Sequence, residues 1–576
     1  MPPRALRLLL APRALRLSLA LALGAACTTG NPRPERDGGP GPHDGTSDRR
    51  CETTTDSDGD GLYDEFEGTE DWDRDGAGNH LDTDSDGDGI PDADESGGLG
   101  GCAARNADDD AIPDFLDNDS DNDGLSDREE HERYFTDPRS DDTDGDGFID
   151  VAEVATGHDP RDASDRISEE DFYLVLPYEG PAQTRELRFG TTVRRADVFF
   201  MMDRTGSMRD EVNALKRSLD RIVVEMTMRI RDIGVGFGGF AGFGGPAGGP
   251  AMCVLGICTY ADGPEGDTPF HLYGVITTDV AQMRADLAMM QADQGGATWA
   301  SSNEALYQAA TGEGIAPWVR PQRCPAVPDE TSPRYGYPCF RPGALPIMVV
   351  LTDTSSKNGP HTESVPGGTY DPAHFTMGPP PHTYMQTLTA LRRIGARTIG
   401  VLSGAEISNP TPRRQFETWA RETGTVDRSG MPIVFEIAPD GSGLGDSIIE
   451  AIRTLAEETP QNISAVAHDG DDHPPDVGPV DARLFIKEIT PARLLERGVP
   501  TVTCPTMSRC DDAIFYAVAP GDVVEFRLRF QNDVVPPRGT AQVFRARIVV
   551  MGNGVAELDD RDVVIVVPAG SAPILI

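Results

Sequence analysis

Between Asp56 and Glu153 one arrangement of oxygen-bearing side chains, D-x-D-x-D-G-x-x-D-x-x-E, returns four times. The first copy holds Asp56, Asp58, Asp60, Asp64 and Glu67, the second Asp84, Asp86, Asp88, Asp92 and Glu95. The third holds Asp119, Asp121, Asp123, Asp127 and Glu130, the fourth Asp142, Asp144, Asp146, Asp150 and Glu153. Gly61, Gly89, Gly124 and Gly147 occupy the sixth place, and a weaker copy, Asn106-x-Asp108-x-Asp110, has Ala111 there, then Asp114 and Asp117. Calcium takes six to eight oxygen ligands, so a chain must wrap around it. Alternate carboxylates in a tight loop turn inward, glycine allows the sharp bend, and the last glutamate can bind through both oxygens. A disordered acidic tract would not repeat glycine and glutamate in register, and magnesium suits such a loop poorly because it keeps a small octahedral shell. The residues therefore predict calcium sites.

A second constellation starts at Asp203-x-Thr205-x-Ser207, directly after the apolar run Asp197 to Met202. One carboxylate and two hydroxyls are hard, weakly charged donors suited to Mg2+ or Mn2+. With few acidic ligands the ion stays electrophilic and can accept a carboxylate from a partner. Taken alone, the triplet is as good a strand-end turn with a helix cap. Its surroundings extend it: Gly295-Gly296-Ala297-Thr298 precedes a helical pattern, and Asp353 follows the apolar run Pro346 to Leu351.

The elements that must position these groups read as an α/β unit over 195–459. Strands are expected near Ile233 to Phe240, His271 to Thr277, Leu345 to Leu351, Arg397 to Leu402 and Pro432 to Ile437. Helices are expected near Arg209 to Arg231, Asp279 to Met290, Ser302 to Thr311, Thr383 to Ile394, Arg413 to Thr423 and Leu444 to Glu458. Apolar runs alternating with amphipathic helices imply a mainly parallel, doubly wound sheet, whose sites sit at strand carboxyl ends. This unit resembles von Willebrand factor type A domains, including the integrin ligand-binding kind. The resemblance implies a metal-ion-dependent adhesion site built from Asp203, Thr205, Ser207, Thr298 and Asp353, with Ser301 competing for the place of Thr298. Thr354 stands where that family often has glycine.

The acidic copies start about 28, 22, 13 and 23 residues apart, too close for paired flanking helices. Gly89-Ile90-Pro91 and Ala111-Ile112-Pro113 also break helices. Only the last copy, leading into Val151 to Ala155, is expected to start a short helix. The stretch over 51–165 resembles thrombospondin type 3 calcium repeats, which implies a chain wound around a line of ions with little regular structure.

Of the formal net charge of −44, about 35 negative charges fall between Cys51 and Glu170. Such a block repels nucleic acid and cannot compact unless cations neutralise it. The N-terminus reads as an export signal over 1–27: Arg4, Arg7, Arg13 and Arg16, then the apolar run Leu17 to Ala26, too short to span a bilayer. The end of that run, Leu23-Gly24-Ala25-Ala26-Cys27, resembles a bacterial lipoprotein processing box, implying a lipid anchor on Cys27. Residues 28–50 form a Gly- and Pro-rich tether. Without Cys27, eight of the nine cysteines remain, as expected for disulfides in an oxidising compartment. Cys253 with Cys258, Cys324 with Cys339, and Cys504 with Cys510 lie close together, leaving Cys51 and Cys102. Zinc is the competing reading, but no paired C-x-x-C spacing supports it.

After residue 460, alternation near Ala482 to Ile489, Val523 to Asn532, Gln542 to Met551 and Asp562 to Val567 predicts a C-terminal antiparallel β-sandwich. Strands near Phe172 to Tyr178 and Thr184 to Gly190, within 166–194, could complete it, with the α/β unit inserted; separate domains in series fit the sequence equally. No H-E-x-x-H or G-x-S-x-G motif is present, and His361, His374 and His382 read as solvent-exposed loop residues. The expected function is therefore non-enzymatic: an exported, surface-tethered protein that grips a protein or matrix ligand presenting a carboxylate. The alternative is a calcium-binding envelope scaffold with a vestigial metal site.

Overall fold

The computed structural model describes residues 45–46, 51–108, 111–168, 172–243, 252–254, 257–259, 267–292, 300–328, 330, 332–360, 368–370, 372, 375, 378–404, 411–470, 480–505, 509–538 and 541–569. The export segment with Cys27, Thr298, His361 and His374 lie outside them.

Fifteen strands of the described residues matter here. They are β1 (Phe172–Val175), β2 (Gln183–Gly190), β3 (Arg195–Asp203), β4 (Asp232–Phe240), β5 (His271–Thr277), β6 (Leu345–Thr352), β7 (Arg397–Ser403) and β8 (Val434–Ile437), followed by β9 (Gln461–Asp469), β10 (Ile486–Glu496), β11 (Val499–Thr503), β12 (Ile514–Val518), β13 (Val523–Phe530), β14 (Gln542–Gly552) and β15 (Ala556–Val567). The helices between β3 and β9 are α1 (Arg209–Thr227), α2 (Val280–Met289), α3 (Ser302–Thr311), α4 (Tyr384–Arg393), α5 (Thr411–Glu422) and α6 (Leu444–Glu458).

The six-stranded sheet runs β8-β7-β6-β3-β4-β5, parallel throughout except for β5, which pairs antiparallel with β4. Its central strand shows why the sequence folds this way. Along β3, Val198, Phe200 and Met202 enter one apolar cluster, with Leu215 and Ile222 of α1 and Ile448 and Leu455 of α6. Phe199 and Met201 enter a second, with Leu306 of α3, Leu391 of α4 and Phe416 and Trp419 of α5. Successive side chains leave opposite faces of a strand, so only an unbroken apolar run can be buried on both.

Two further sheets follow. One, ordered β12-β9-β14-β15-β1, takes its edge strand β1 from before the α/β unit, paired parallel with β15. The other, β11-β10-β13-β2, takes β2 from the same stretch, paired antiparallel with β13 over Gln183 to Gly190. Phe189, Phe526, Phe530 and Phe544 share one core. The C-terminal reading needs one correction: Ala482–Phe485 is a 3-10 turn and the strand begins at Ile486.

The acidic stretch has small cores of its own, Leu62, Ala104 and Phe115 in one. Short helices close each full motif, not only the last: Asp64–Glu67, Asp92–Glu95, Asp127–Glu129 and the longer Asp150–Thr156. Its C-terminal half docks on β14 and β15, where Leu125, Val151 and Ala155 pack with Ala541, Val564 and Val566. Arg545 Nη2 donates to Ala155 O at 3.0 Å, and Ala569 N to Gly124 O at 3.1 Å. Disulfides join Cys51 to Cys102, Cys324 to Cys339 and Cys504 to Cys510. Cys253 and Cys258 face each other as backbone partners in a two-stranded hairpin; their side chains lie outside the described set.

Candidate metal centres

Each acidic loop is built by one local rule. In the second motif Asp88 N donates to Asp86 Oδ1 at 3.1 Å, Ile90 N to Asp88 Oδ1 at 2.6 Å, and Gly89 N to Asp84 Oδ1 at 3.4 Å. The third motif repeats these bonds through Asp121, Asp123 and Asp119, the fourth through Asp144, Asp146 and Asp142. The bend falls at Gly61, Gly89, Gly124 and Gly147, whose φ angles of 107°, 100°, 105° and 105° strain any residue with a Cβ. In this way one oxygen of Asp58, Asp60, Asp86, Asp88, Asp121 and Asp144 faces the backbone and the other faces inward.

The inward oxygens have no hydrogen-bond partner. This holds for Oδ2 of Asp58, Asp60, Asp86, Asp88, Asp121 and Asp144, and for both oxygens of Glu67, Glu95 and Glu153. Burial, with Asp60 and Asp58 nearby, pushes Glu67 up to about 9; burial with Asp86 and Asp88 pushes Glu95 up to about 12. Carboxylates crowded in this way cannot all ionise unless a cation joins them. The donors are all hard oxygens on a flexible loop, a set that fits calcium.

The ninth-position residues do something the spacing does not reveal. Asp92 accepts both the backbone N–H and the hydroxyl of Ser85, at 2.7 and 2.6 Å. Asp64, Asp127 and Asp150 hold Ser57, Ser120 and Thr143 in the same way. They also reach backwards. Ligand atoms of Asp60, Glu67 and Asp92 lie within 4.8 Å of one another, as do those of Asp88, Glu95 and Asp127. One motif's aspartate thus closes the preceding motif's site. In the last motif a guanidinium stands on the equivalent residue: Arg166 Nε donates to Asp146 Oδ2 at 3.0 Å.

A further loop of this type starts at Asp71, with Asp73, Asp75, Gly76, Asn79 and Asp82 in order. Gly76 has φ 107°, Ala77 N donates to Asp75 Oδ1 at 2.7 Å, and Trp72 N to Asn79 Oδ1 at 3.1 Å. The tripled aspartate and the glycine could have revealed it; Asn79 and Asp82 in the ninth and twelfth places hid it.

A family model for the bacterial TSP3 repeat matches residues 84–96, 119–132 and 142–163. The acidic array carries bacterial TSP3 repeats. Such repeats imply calcium, in agreement with the inward-facing oxygens of the TSP3 loops. No curated protein matches the chain. Among solved structures it is similar to a von Willebrand factor type A protein from Catenulispora acidiphila, at 12% identity and TM-score 0.28, over 68% of this chain and 71% of that one. It is also similar to the pilus adhesin SpaC from Lactobacillus rhamnosus GG, at 10% identity and TM-score 0.27, over 69% of this chain and 47% of the adhesin, about half its length.

The second centre stands at the carboxyl ends of β3 and β6. Asp203, fully buried, accepts Thr205 N at 2.9 Å on Oδ1 and the Thr352 hydroxyl at 2.7 Å on Oδ2. Thr205 Oγ1 and Ser207 Oγ lie 3.0 Å apart, two hydroxyls converging beside the carboxylate. Burial, with the charge of Asp353, pushes Asp203 up to about 6. Thr352, which orients Asp203, carries no signal in the sequence beyond its place at a strand end. Ser301, the competitor of Thr298, is buried with its hydroxyl 2.9 Å from that of Tyr370. Glu211 of α1 joins the neighbourhood: burial raises its carboxyl, Ser403 bonds to it, and Asp353 adds like charge. His382 departs from the exposed-loop reading. It stacks on Tyr307 at 3.5 Å, and its Nδ1 lies 3.0 Å from the buried Glu304 Oε1, which fastens the segment to α3.

Proposed function

We propose that the protein is an exported adhesion or ligand-binding protein, held at the cell surface through a lipid on Cys27, stiffened by calcium in its TSP3 array, and binding an acidic group of a protein or matrix partner through Mg2+ or Mn2+ at Asp203. The observation that carries the reading is a buried carboxylate, Asp203, set beside two converging hydroxyls and Asp353 at the strand ends of a parallel sheet. Asp203, Thr205, Ser207 and Asp353, with Thr298 as the family resemblance implies, would hold the ion. The ion, when bound, supplies an electrophilic position for a carboxylate oxygen.

The chain's own part is orientation. Thr352 and the Thr205 N–H fix both oxygens of Asp203, so its carboxylate is oriented before an ion binds. The pairing of β1 and β2 with C-terminal strands supports an α/β domain inserted into a β-sandwich. Strands at both ends of the inserted unit then carry it on a rigid base.

The test is a pull-down from envelope and medium extracts with the full chain, in magnesium and in EDTA, beside Asp203→Ala. A partner retained only by the wild type in magnesium supports metal-bridged recognition. A partner kept in EDTA and by Asp203→Ala refutes it.

A further inference from the structure

The residue between the first two metal-binding positions, Arg204, stands apart from the ion-paired arginines of this chain. The chain has 95 acidic residues against 51 lysines and arginines, and many of its described arginines are in ion pairs. Arg204 has no carboxylate within ion-pair distance among the described residues, and its Nε is buried without a hydrogen-bond partner. Its side chain is laid flat on the sheet because position 239 has none: a Cβ there would stand 2.7 Å from Arg204 Cδ and 2.8 Å from Cγ. The guanidinium carbon lies 5.9 Å from the centroid of the Tyr273 ring, which His271 abuts edge-on at 4.7 Å. Arg204 N donates to Phe240 O at 2.8 Å, which fixes the backbone from which the side chain departs.

A buried guanidinium N–H without an acceptor destabilises the free protein; contact with one aromatic face offsets only part of that. The guanidinium as a whole is only half-buried, so it can still meet an anion brought from outside, and it belongs to the residue next to Asp203. We propose that Arg204 is a specificity-determining residue of the metal centre, and that the ligand is a polypeptide presenting two acidic groups, one to the metal and one to this guanidinium. This rests on the carboxylate-binding reading of Asp203 and narrows it from an acidic ligand to a diacidic one.

Two synthetic peptides, alike except that one carries a single aspartate and the other a second aspartate two residues on, are titrated calorimetrically into the full chain in millimolar Mg2+ and in EDTA. Mn2+ affinity is measured alongside by electron paramagnetic resonance. The wild type should bind the diacidic peptide about tenfold more tightly than the monoacidic one. Arg204→Ala should erase that preference while keeping monoacid binding and Mn2+ affinity. Gly239→Ala, which keeps the charge but displaces the side chain, should weaken the preference in the same direction. A preference that survives Arg204→Ala, or Mn2+ affinity lost with it, overturns the proposal. Equal, magnesium-dependent binding of both peptides by the wild type refutes the role of Arg204 and leaves the metal reading standing. Failure of the wild type to bind either peptide in magnesium refutes both.

Discussion

Removing calcium should invert the pH response of the TSP3 array. Asp127, 1% exposed, is pushed up to about 8 by burial, against a Ser120 bond that lowers it. A carboxyl raised in this way costs the folded chain nothing at a pH where the unfolded chain is also protonated. The cost grows as pH climbs from the unfolded value near 3.8 and levels off above the folded one. For Asp127 at pH 7 it comes to about 4 kcal/mol, at about 1.4 kcal/mol per pH unit. Glu130, fully buried and pushed up to about 9 by burial and Asp123, adds a cost of similar size. Two such groups already match the stability of a small domain, about 5–15 kcal/mol. In chelator, therefore, the array should be more ordered near pH 4.5 than near pH 7.5; in millimolar calcium the order should reverse, because binding needs the ionised form. Hydrogen exchange on the full chain, corrected for intrinsic rates and read in peptides from 84–130, measures this directly. Equal or greater protection at pH 7.5 in chelator would refute the reasoning that links inward-facing carboxylates to an obligatory cation.

Other outcomes follow from single contacts. Leu125→Ala should cost about 2–3 kcal/mol and loosen the array from β15, seen as faster proteolysis between the two, since Leu125 is 2% exposed in their shared core. Gly124→Ala should be worse than Gly147→Ala in thermal stability: both glycines have φ 105°, but a Cβ at 124 stands 3.0 Å from Pro568 whereas that at 147 meets nothing. Mn2+ affinity at the Asp203 centre should hold steady above pH 7 and fall below about 6, where protons compete for a carboxyl raised to that value; a flat profile down to pH 5 would count against Asp203 as a ligand. Replacing Cys324 and Cys339 together by serine should cost about 3 kcal/mol by denaturant titration, as for any link closing a loop of some 15 residues.

How much of this was legible in the sequence depended on how local the cause was. The calcium loops are local, so the register of Asp84, Asp86, Asp88 and Glu95 could be read directly. The reach of Asp92 to Glu67 is not, because it depends on how successive loops stack. Parallel strands buried on both faces announce themselves as apolar runs, and β3 and β6 differ from expectation only at their ends. Strands half-exposed at a sheet edge do not: β11, with Pro500 and mostly exposed side chains, and β12 went unread, as did β9, exposed or half-exposed beyond Ile463. The cluster of oxygens at Asp203, Thr205 and Ser207 was legible, but not the hydroxyl of Thr352 that aims the carboxylate, nor the glycine at 239 that lets Arg204 lie down.

The chain enters the α/β unit four residues after β2 ends at Gly190 and leaves it two residues before β9 begins at Gln461. Both crossings lie at the end of the six-stranded sheet opposite Asp203. A pull applied at the Asp203 face is therefore divided between two covalent links working side by side, each running straight into a hydrogen-bonded strand. Tension on one must shear the β2–β13 ladder, and tension on the other must shear β9 from β14.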